Sequence, residues 1–140
     1  MRGGLLRLLD ANANRAVEGL RVCEDLARFA LNAPSLFRRL RALRHDVGTA
    51  VRRLPVAPGT LVRARASTCD PGRRAATGSA RSLEHLLMIN LQRAKEALRA
   101  LEEGARLLGP QHSRTFQTFR FRAYDLERDL VLHVAAVRHR

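Results

Sequence analysis

The sequence predicts an all-α fold, an antiparallel four-helix bundle made of two repeated helical hairpins joined by a long crossover loop. Three observations predict it. Apolar residues recur at spacings of three and four along most of the chain. The stretch Asn12 to Arg28 is written again from Asn90 to Arg106, with Asn, Arg, Ala, Glu, Leu, Arg, Glu, Ala and Arg on the same nine positions. Proline and glycine concentrate between the copies, where the helical period stops. At 140 residues the chain reads as one domain, with repeat 1 over about 5–54, the crossover over 55–81 and repeat 2 over about 82–139.

The first helix is expected from about Gly4 to Leu31. Its apolar positions are Leu9, Ala13, Ala16, Leu20, Cys23, Ala27 and Ala30. Asn32-Ala33-Pro34-Ser35 then gives a stop, with Ser35 as the N-cap of a second helix over about Leu36 to Leu54. Gly48 is expected to weaken or bend that helix. Pro55 to Ala80 reads as loop with a short strand at Thr60 to Ala64. A third helix starts near Ser82 and stops at Gly109-Pro110. The fourth runs from about Ser113 to His139, with Phe116, Phe119, Phe121, Leu126 and Leu130 as its apolar positions. At the same offset of 78, Leu5, Leu8 and Leu9 match Leu83, Leu86 and Leu87, and Arg44 matches Arg122.

A hydrophobic content of 46% disfavours disorder. The charge of +13 attracts anions: nucleic acid, acidic membrane or phosphorylated small molecules. Lys95 is the sole lysine, so 25 of the 26 basic residues are arginine, and part of the excess reads as a compositional bias. Two cysteines make no disulfide framework. Cys23 falls on an apolar helix face, and Cys69 in the loop. The opening residues do not read as a signal peptide, and no apolar run approaches membrane-spanning length. A reduced, cytoplasmic protein is the expectation.

At 100° per residue, Asn14, Glu18, Arg21, Asp25 and Arg28 line one stripe opposite the apolar face. Gln92, Glu96, Arg99, Glu103 and Arg106 line its counterpart. Arg15 and Arg93 lie to one side, and Asn12 and Asn90 nearer the core flank. Local ion pairs are expected for Glu18–Arg21, Glu24–Arg28, Glu96–Arg99 and Glu102–Arg106. A solvated face held by such pairs gains little and has no reason to keep its charge order twice. Two explanations stand: a buried polar seam, or a binding groove between the two long helices. Arginine in a groove binds phosphate or carboxylate bidentately, and asparagine offers donors and an acceptor to a planar heterocycle. Arg44 and Arg122 either close the groove ends or bridge to glutamates on the neighbouring helices.

The crossover holds Arg63, Arg65, Ser67, Thr68, Asp70, Gly72, Arg73, Arg74, Thr77, Gly78, Ser79 and Arg81. Amides freed by glycine beside arginine and hydroxyls can wrap a polyphosphate, and Asp70 can hold magnesium, which needs few protein ligands. A basic linker is the alternative. No Gly-x-x-x-x-Gly-Lys-Ser/Thr, Gly-x-Gly-x-x-Gly or Gly-x-Ser-x-Gly occurs, and the five histidines show no metal spacing. His133 and His139, near the last helix end, are expected to be solvated or favoured by the helix dipole.

The run Asp10-Ala11-Asn12-Ala13-Asn14-Arg15-Ala16-Val17-Glu18-Gly19-Leu20-Arg21, continuing through Glu24-Asp25-Leu26-Ala27-Arg28-Phe29, resembles the opening of a helical domain of thiamine biosynthesis. That domain is a hydroxymethylpyrimidine-phosphate kinase, often fused ahead of thiamine-phosphate synthase. Leu40-Arg41-Ala42-Leu43-Arg44-His45-Asp46 resembles its Leu-Arg-His-Glu element. Asn90 to Glu103 resembles its second Asn-x-x-Arg-x-x-Glu-Ala-Leu-Arg block, and Phe121-Arg122-Ala123-Tyr124 to Glu127 resembles its ending. The resemblance covers nearly the whole chain.

It implies phosphorylation of hydroxymethylpyrimidine phosphate to the pyrophosphate with ATP and magnesium. Asp70 and Arg65 would be catalytic, Asp70 a metal ligand, and Gly72 and Arg73 nucleotide contacts. The substrate set would be Asn12, Asn14, Arg15, Glu18, Arg21, Arg44, Asn90, Arg93, Glu96, Arg99 and Arg122. The loop departs from the family pattern: Ala66 follows Arg65 where the family has aspartate, and Asp70-Pro71-Gly72-Arg73 replaces Asp-Val-Gly-Thr. Without a synthase barrel within it, the chain is expected to be a stand-alone domain or a piece of a fusion. The missing loop acid favours a second reading, a non-catalytic pyrimidine-phosphate-binding or docking module associated with thiamine-phosphate synthase. A third, a nucleic-acid-binding bundle, rests on charge alone, and the glutamates of the stripe argue against it. A symmetric bundle also leaves a homodimer open.

Overall fold

A computed structural model describes residues 2–75 and 77–138. They form five α-helices: α1 (Arg2–Asp25), α2 (Pro34–Arg52), α3 (Thr60–Ala64), α4 (Leu83–Ala105) and α5 (Pro110–Arg138). No strand occurs among the described residues. The expected extension of the last helix to His139 lies outside them. α1 packs most extensively on α4 and also on α2, while α5 packs on α4 and α2. The contacts therefore close a ring around one core. Leu9, Leu20, Leu43, Leu91, Leu98 and Phe116 are among its fully buried side chains. Each such burial contributes about 1.5–3 kcal/mol relative to exposure.

α1 does not end where its period does. After Asp25 the chain widens into one π-helical turn, Leu26–Ala30, and then leaves through Asn32 in a left-handed conformation (φ 48°). Ala30, expected in the core, is exposed as a result. α2 begins one residue before Ser35: Pro34 occupies its first turn and Ala33 the cap, so Ser35 is inside the helix. α2 runs unbroken through Gly48. α4 starts as expected, with the Ser82 hydroxyl accepting the His85 amide at 3.0 Å. Gly109 (φ 150°) ends the turn after it, and Pro110 opens α5.

Three further expectations fail here. Thr60 to Ala64 is a helical turn, not a strand. Gly59 enters it left-handed, its carbonyl accepts the Arg63 amide at 3.0 Å, and Leu61 packs on the core beside α1. Packing on α1 overrides the strand preference of Thr60 and Val62. Phe121 is 53% exposed, and Arg120 beside it is buried. His133 also departs from expectation, because its Nε2 is buried with no hydrogen-bond partner among the described residues.

α1 and α4 meet closely at Gly19, where a Cβ would stand 2.8 Å from the Asn90 carbonyl oxygen. Cys23 is sealed in the same interface, its thiol near the Leu87 carbonyl at 3.6 Å, and burial pushes its pKa up to about 12. The fold therefore favours the protonated thiol. We predict that stability falls as pH rises from about 9, the ordinary thiol value, towards 12. In the native protein near neutral pH an aromatic disulfide reagent should titrate Cys69 alone, and both thiols after unfolding; two reactive native thiols would refute the burial of Cys23. Gly19→Val should cost about 1–3 kcal/mol in urea unfolding, because the obstacle is backbone and cannot swing away.

Candidate functional site

Glu24 and Glu102 occupy equivalent positions in the repeat and are 3% and 8% exposed. A carboxylate buried to that degree needs a partner. Arg44 donates to Glu24 through Nε and Nη2 at 2.6 and 3.3 Å. Arg120 donates to Glu102 through the same two nitrogens at 2.8 and 3.3 Å. Those hydrogen bonds push both guanidinium pKa values up. Arg21 lies 3.9 Å from Glu24 and 3.6 Å from Asp25, while Arg99 lies 3.6 Å from Glu102 and 3.3 Å from Glu103. The same four-residue cluster is built twice.

The second helices therefore align at an offset of 76, not 78. Glu24 and Arg44 are 20 residues apart, and Glu102 and Arg120 only 18. At 76, buried Leu40, Leu43, Val47 and Leu54 fall on buried Phe116, Phe119, Ala123 and Leu130. Arg120 is thus the counterpart of Arg44. Arg122 matches Asp46 instead, and the two bond to each other at 2.8 Å. The π turn and its longer exit occupy the extra residues of the first half.

The expected local pairs shift by one turn. Arg21 and Arg99 reach forward to Glu24, Asp25, Glu102 and Glu103 rather than back to Glu18 and Glu96. Arg106 pairs with Glu103 at 2.8 Å, and Arg28 lies over the Phe29 and Phe37 rings. Glu18, Arg21, Arg93, Glu96 and Arg99 are exposed. They line none of five cavities of about 380–560 Å³ that the described residues form. α1 and α4 pack through their apolar faces, so their polar stripes do not share a groove. The seam at Glu24 and Glu102 accounts for the repeated charge order there.

What the structure does bring together lies between the N-terminal half of α1 and the crossover. Arg65 reaches back across 55 residues and grips Asp10 with two bonds of 2.8 Å. Hydrogen bonding to that carboxylate raises the Arg65 pKa. The clamp holds the loop against α1 and borders an open cavity of about 500 Å³. Arg7, Asp10, Asn14, Arg15, Arg65 and Asp70 are among its lining residues, with Asn12 and Ser67. The Asn12 and Asn14 amides donate to the Leu8 and Asp10 carbonyls at 2.9 and 3.0 Å, leaving the Asn14 oxygen without a bond from any described residue. Arg15 also approaches Asn12 Oδ1 at 3.5 Å. Asp70 accepts the Gly72 amide at 2.8 Å through one oxygen, and Arg73 donates to Ser67 at 3.3 Å. Gly72 and Arg73 thus buttress the rim.

Of the expected site residues, Asn12, Asn14, Arg15, Arg65 and Asp70 meet in this cavity. Asn90 does not join them; it repeats the Asn12 bond on its own helix, to Leu86 at 2.9 Å. Arg44 lines a separate cavity with Val17, His45, Gly48, Thr49 and Arg52. Asp10 was missed as a site residue although it opens the quoted motif, because its partner lies 55 residues away. Among the described residues no three metal-ligating side chains cluster, and no helix is long and apolar enough to cross a membrane.

The model of the ThiD2 family matches residues 7–129. A thiamine-phosphate synthase of Rhodopirellula baltica is 37% identical over 139 residues, spanning 97% of this chain and 36% of its own length. Thiamine-phosphate synthases of Nostoc sp. PCC 7120 and Thermosynechococcus vestitus are 36% and 35% identical, over 91% and 97% of this chain and 35% and 38% of theirs. The chain thus spans little more than a third of the length of these curated relatives. No solved structure matches it.

The register of the second half is open to a direct test. Arg120→Met leaves Glu102 buried without its partner and should cost about 3–5 kcal/mol in chemical unfolding. Arg122→Met breaks only a half-exposed pair and should cost less than about 1 kcal/mol. Equal losses, or the reverse order, would restore the offset of 78.

Proposed function

The chain belongs to the ThiD2 family, and from that premise we propose that it phosphorylates hydroxymethylpyrimidine phosphate to the pyrophosphate with ATP. The product is the pyrimidine substrate that a thiamine-phosphate synthase consumes, which suits the likeness to synthases with a segment of this kind. On the same reading the four long helices are a bundle of two repeated hairpins.

The cavity beside the clamp of Arg65 on Asp10 carries the proposal. Arg7, Arg15 and Arg65 concentrate positive charge around one space, with the Ser67 hydroxyl and the Asp70 carboxylate at its edge. Phosphoryl transfer asks a protein chiefly to position two phosphates and neutralise their charge. Arg65 is suited to this because the Asp10 clamp holds it in place before any ligand arrives. Arg7 and Arg15 supply further donors from α1, and Asn14 offers its oxygen to a donor on the substrate. Asp70 uses one oxygen on Gly72 and keeps the other for magnesium. A single carboxylate with phosphate oxygens and water is an ordinary magnesium environment. Bound there, magnesium would spread the negative charge of the phosphoryl oxygens. Gly72 and Arg73 hold the turn that presents Asp70.

One observation favours a second reading, a non-catalytic pyrimidine-phosphate-binding or docking module beside thiamine-phosphate synthase. Asp10 and Asp70 are the carboxylates lining the cavity, and Arg65 occupies both oxygens of Asp10. Asp70 is then left to serve alone.

Incubation with ATP, magnesium and hydroxymethylpyrimidine phosphate should yield ADP and the pyrophosphate. Arg65→Ala and Asp70→Asn should each lower turnover by about 100-fold or more while the helical signal persists. Calorimetric binding of the pyrimidine phosphate without turnover, beside an active relative as control, selects the docking module. A folded protein that neither binds nor turns over refutes both.

A further inference from the structure

The two halves differ most where they should be most alike. In the second half Arg120 has a third bond: its Nη1 donates to the Tyr124 hydroxyl at 2.9 Å. Tyr124 lies one turn after Arg120, its ring packed edge-on to Phe121 and 5.6 Å from the Lys95 ammonium. Lys95 is in turn bonded to Glu127. At the offsets of 78 for the first helices and 76 for the second, Lys95, Tyr124 and Glu127 correspond to Val17, Gly48 and Val51. All three members of the plug are replaced together in the first half. Arg44 keeps its bidentate grip on Glu24, but its Nη1 has no hydrogen-bond partner among the described residues.

The space this leaves is a cavity of about 380 Å³ above Gly48, with Val17 as apolar floor and Arg44, His45, Thr49 and Arg52 around it. No carboxylate lines it. Arg52, whose guanidinium is 3.3 Å from the position of a Gly48 Cβ, is an exposed side chain able to turn aside or close over an occupant.

We propose that this cavity is a ligand seat whose occupant takes the place that Tyr124 fills in the other half. The occupant is a planar aromatic ring carrying an oxygen or nitrogen acceptor towards Arg44 Nη1 and an anionic group towards Arg52 and His45. Arg120 and Tyr124 supply the template for the acceptor contact. Arg44 is already matched by Glu24, and Arg52, which has no carboxylate partner among the described residues, selects the negative charge. An aromatic monophosphate has this chemistry. Equating it with the pyrimidine phosphate rests on the proposed function; the seat itself does not.

The test is calorimetric titration of the full chain with phenyl phosphate and, separately, with hydroxymethylpyrimidine phosphate. Gly48→Tyr rebuilds the plug and should weaken binding of both at least tenfold, with unchanged helical signal and a melting temperature no lower than that of the parent. If Gly48→Tyr does not fold, Gly48→Leu fills the same floor and should give the same loss. Pyrimidine phosphate binding equally to parent and filled variant overturns the seat and leaves the proposed function standing. Phenyl phosphate bound by the parent alone, with no binding of the pyrimidine phosphate, upholds the seat and removes the pyrimidine. Failure of the parent to bind either probe overturns the seat.

Discussion

Two carboxylates under the surface, Glu24 and Glu102, set the terms for the rest of this molecule. An unpaired carboxylate at such depth would cost several kcal/mol, so each must be met by a cation from the following helix. A guanidinium meets it well, because the fork of Nε and Nη2 matches both oxygens at once. That match fixes the rotation of α2 against α1 and of α5 against α4, and with it which apolar positions reach the core. Leu40, Leu43 and Val47 in one half and Phe116, Phe119 and Ala123 in the other are buried in the same relation to the ion pair. Arg21 and Arg99 then add outer charges to the same carboxylates. The repeated polar sequence is thus explained by burial before any ligand is considered.

Function enters where the two halves stop matching. The crossover can lie against only one of them, and Arg65 ties it to Asp10, which corresponds to Met88 in the second copy. The start of α4 borders its own cavity of about 560 Å³ with Arg81, Glu84, His85 and Met88, but among the described residues it has no clamp like that of Arg65 on Asp10. The replacement of Lys95, Tyr124 and Glu127 by Val17, Gly48 and Val51 opens a second cavity on the first half. In a repeat whose ion pairs are intact, such loss of packing is informative because burial alone would favour a filled site.

The helices, the core face and the polar repeat were legible because each has a period, and a period is visible without partners. The register of α5 was not. The offset of 78 is correct for α1 and α4, and Arg-Phe-Arg at 120–122 offers an arginine at either register. Only the burial of Arg120 and the exposure of Phe121 separate them. Thr60 to Ala64 was misread for a related reason. Five residues are too few to show a period, so preference pointed to strand and packing of Leu61 by α1 decided for helix. Asn12, Asn14, Arg15, Arg65 and Asp70, which line one cavity, were named from the family resemblance and from residue type. Asp10 and the Gly48 cavity were not, since one depends on a contact 55 residues long and the other on a side chain that is absent.

The charge of +13 acquires a location from the same contacts. Much of it is spent on structure: Arg44 and Arg120 on buried glutamates, Arg39 on Asp129, Arg122 on Asp46, and Arg21, Arg99 and Arg106 on acids of their own helices. The arginines that line a cavity without an acid partner among the described residues are Arg7 and Arg15 beside the crossover, Arg52 above Gly48, Arg53 between α2 and α5, and Arg81 at the start of α4. A protein adapted to a nucleic-acid backbone would spread unmatched charge along an exposed face to follow the phosphates. On the proposed function, Arg7, Arg15 and Arg65 gather instead around the one cavity beside the crossover, an arrangement suited to a compact phosphorylated ligand.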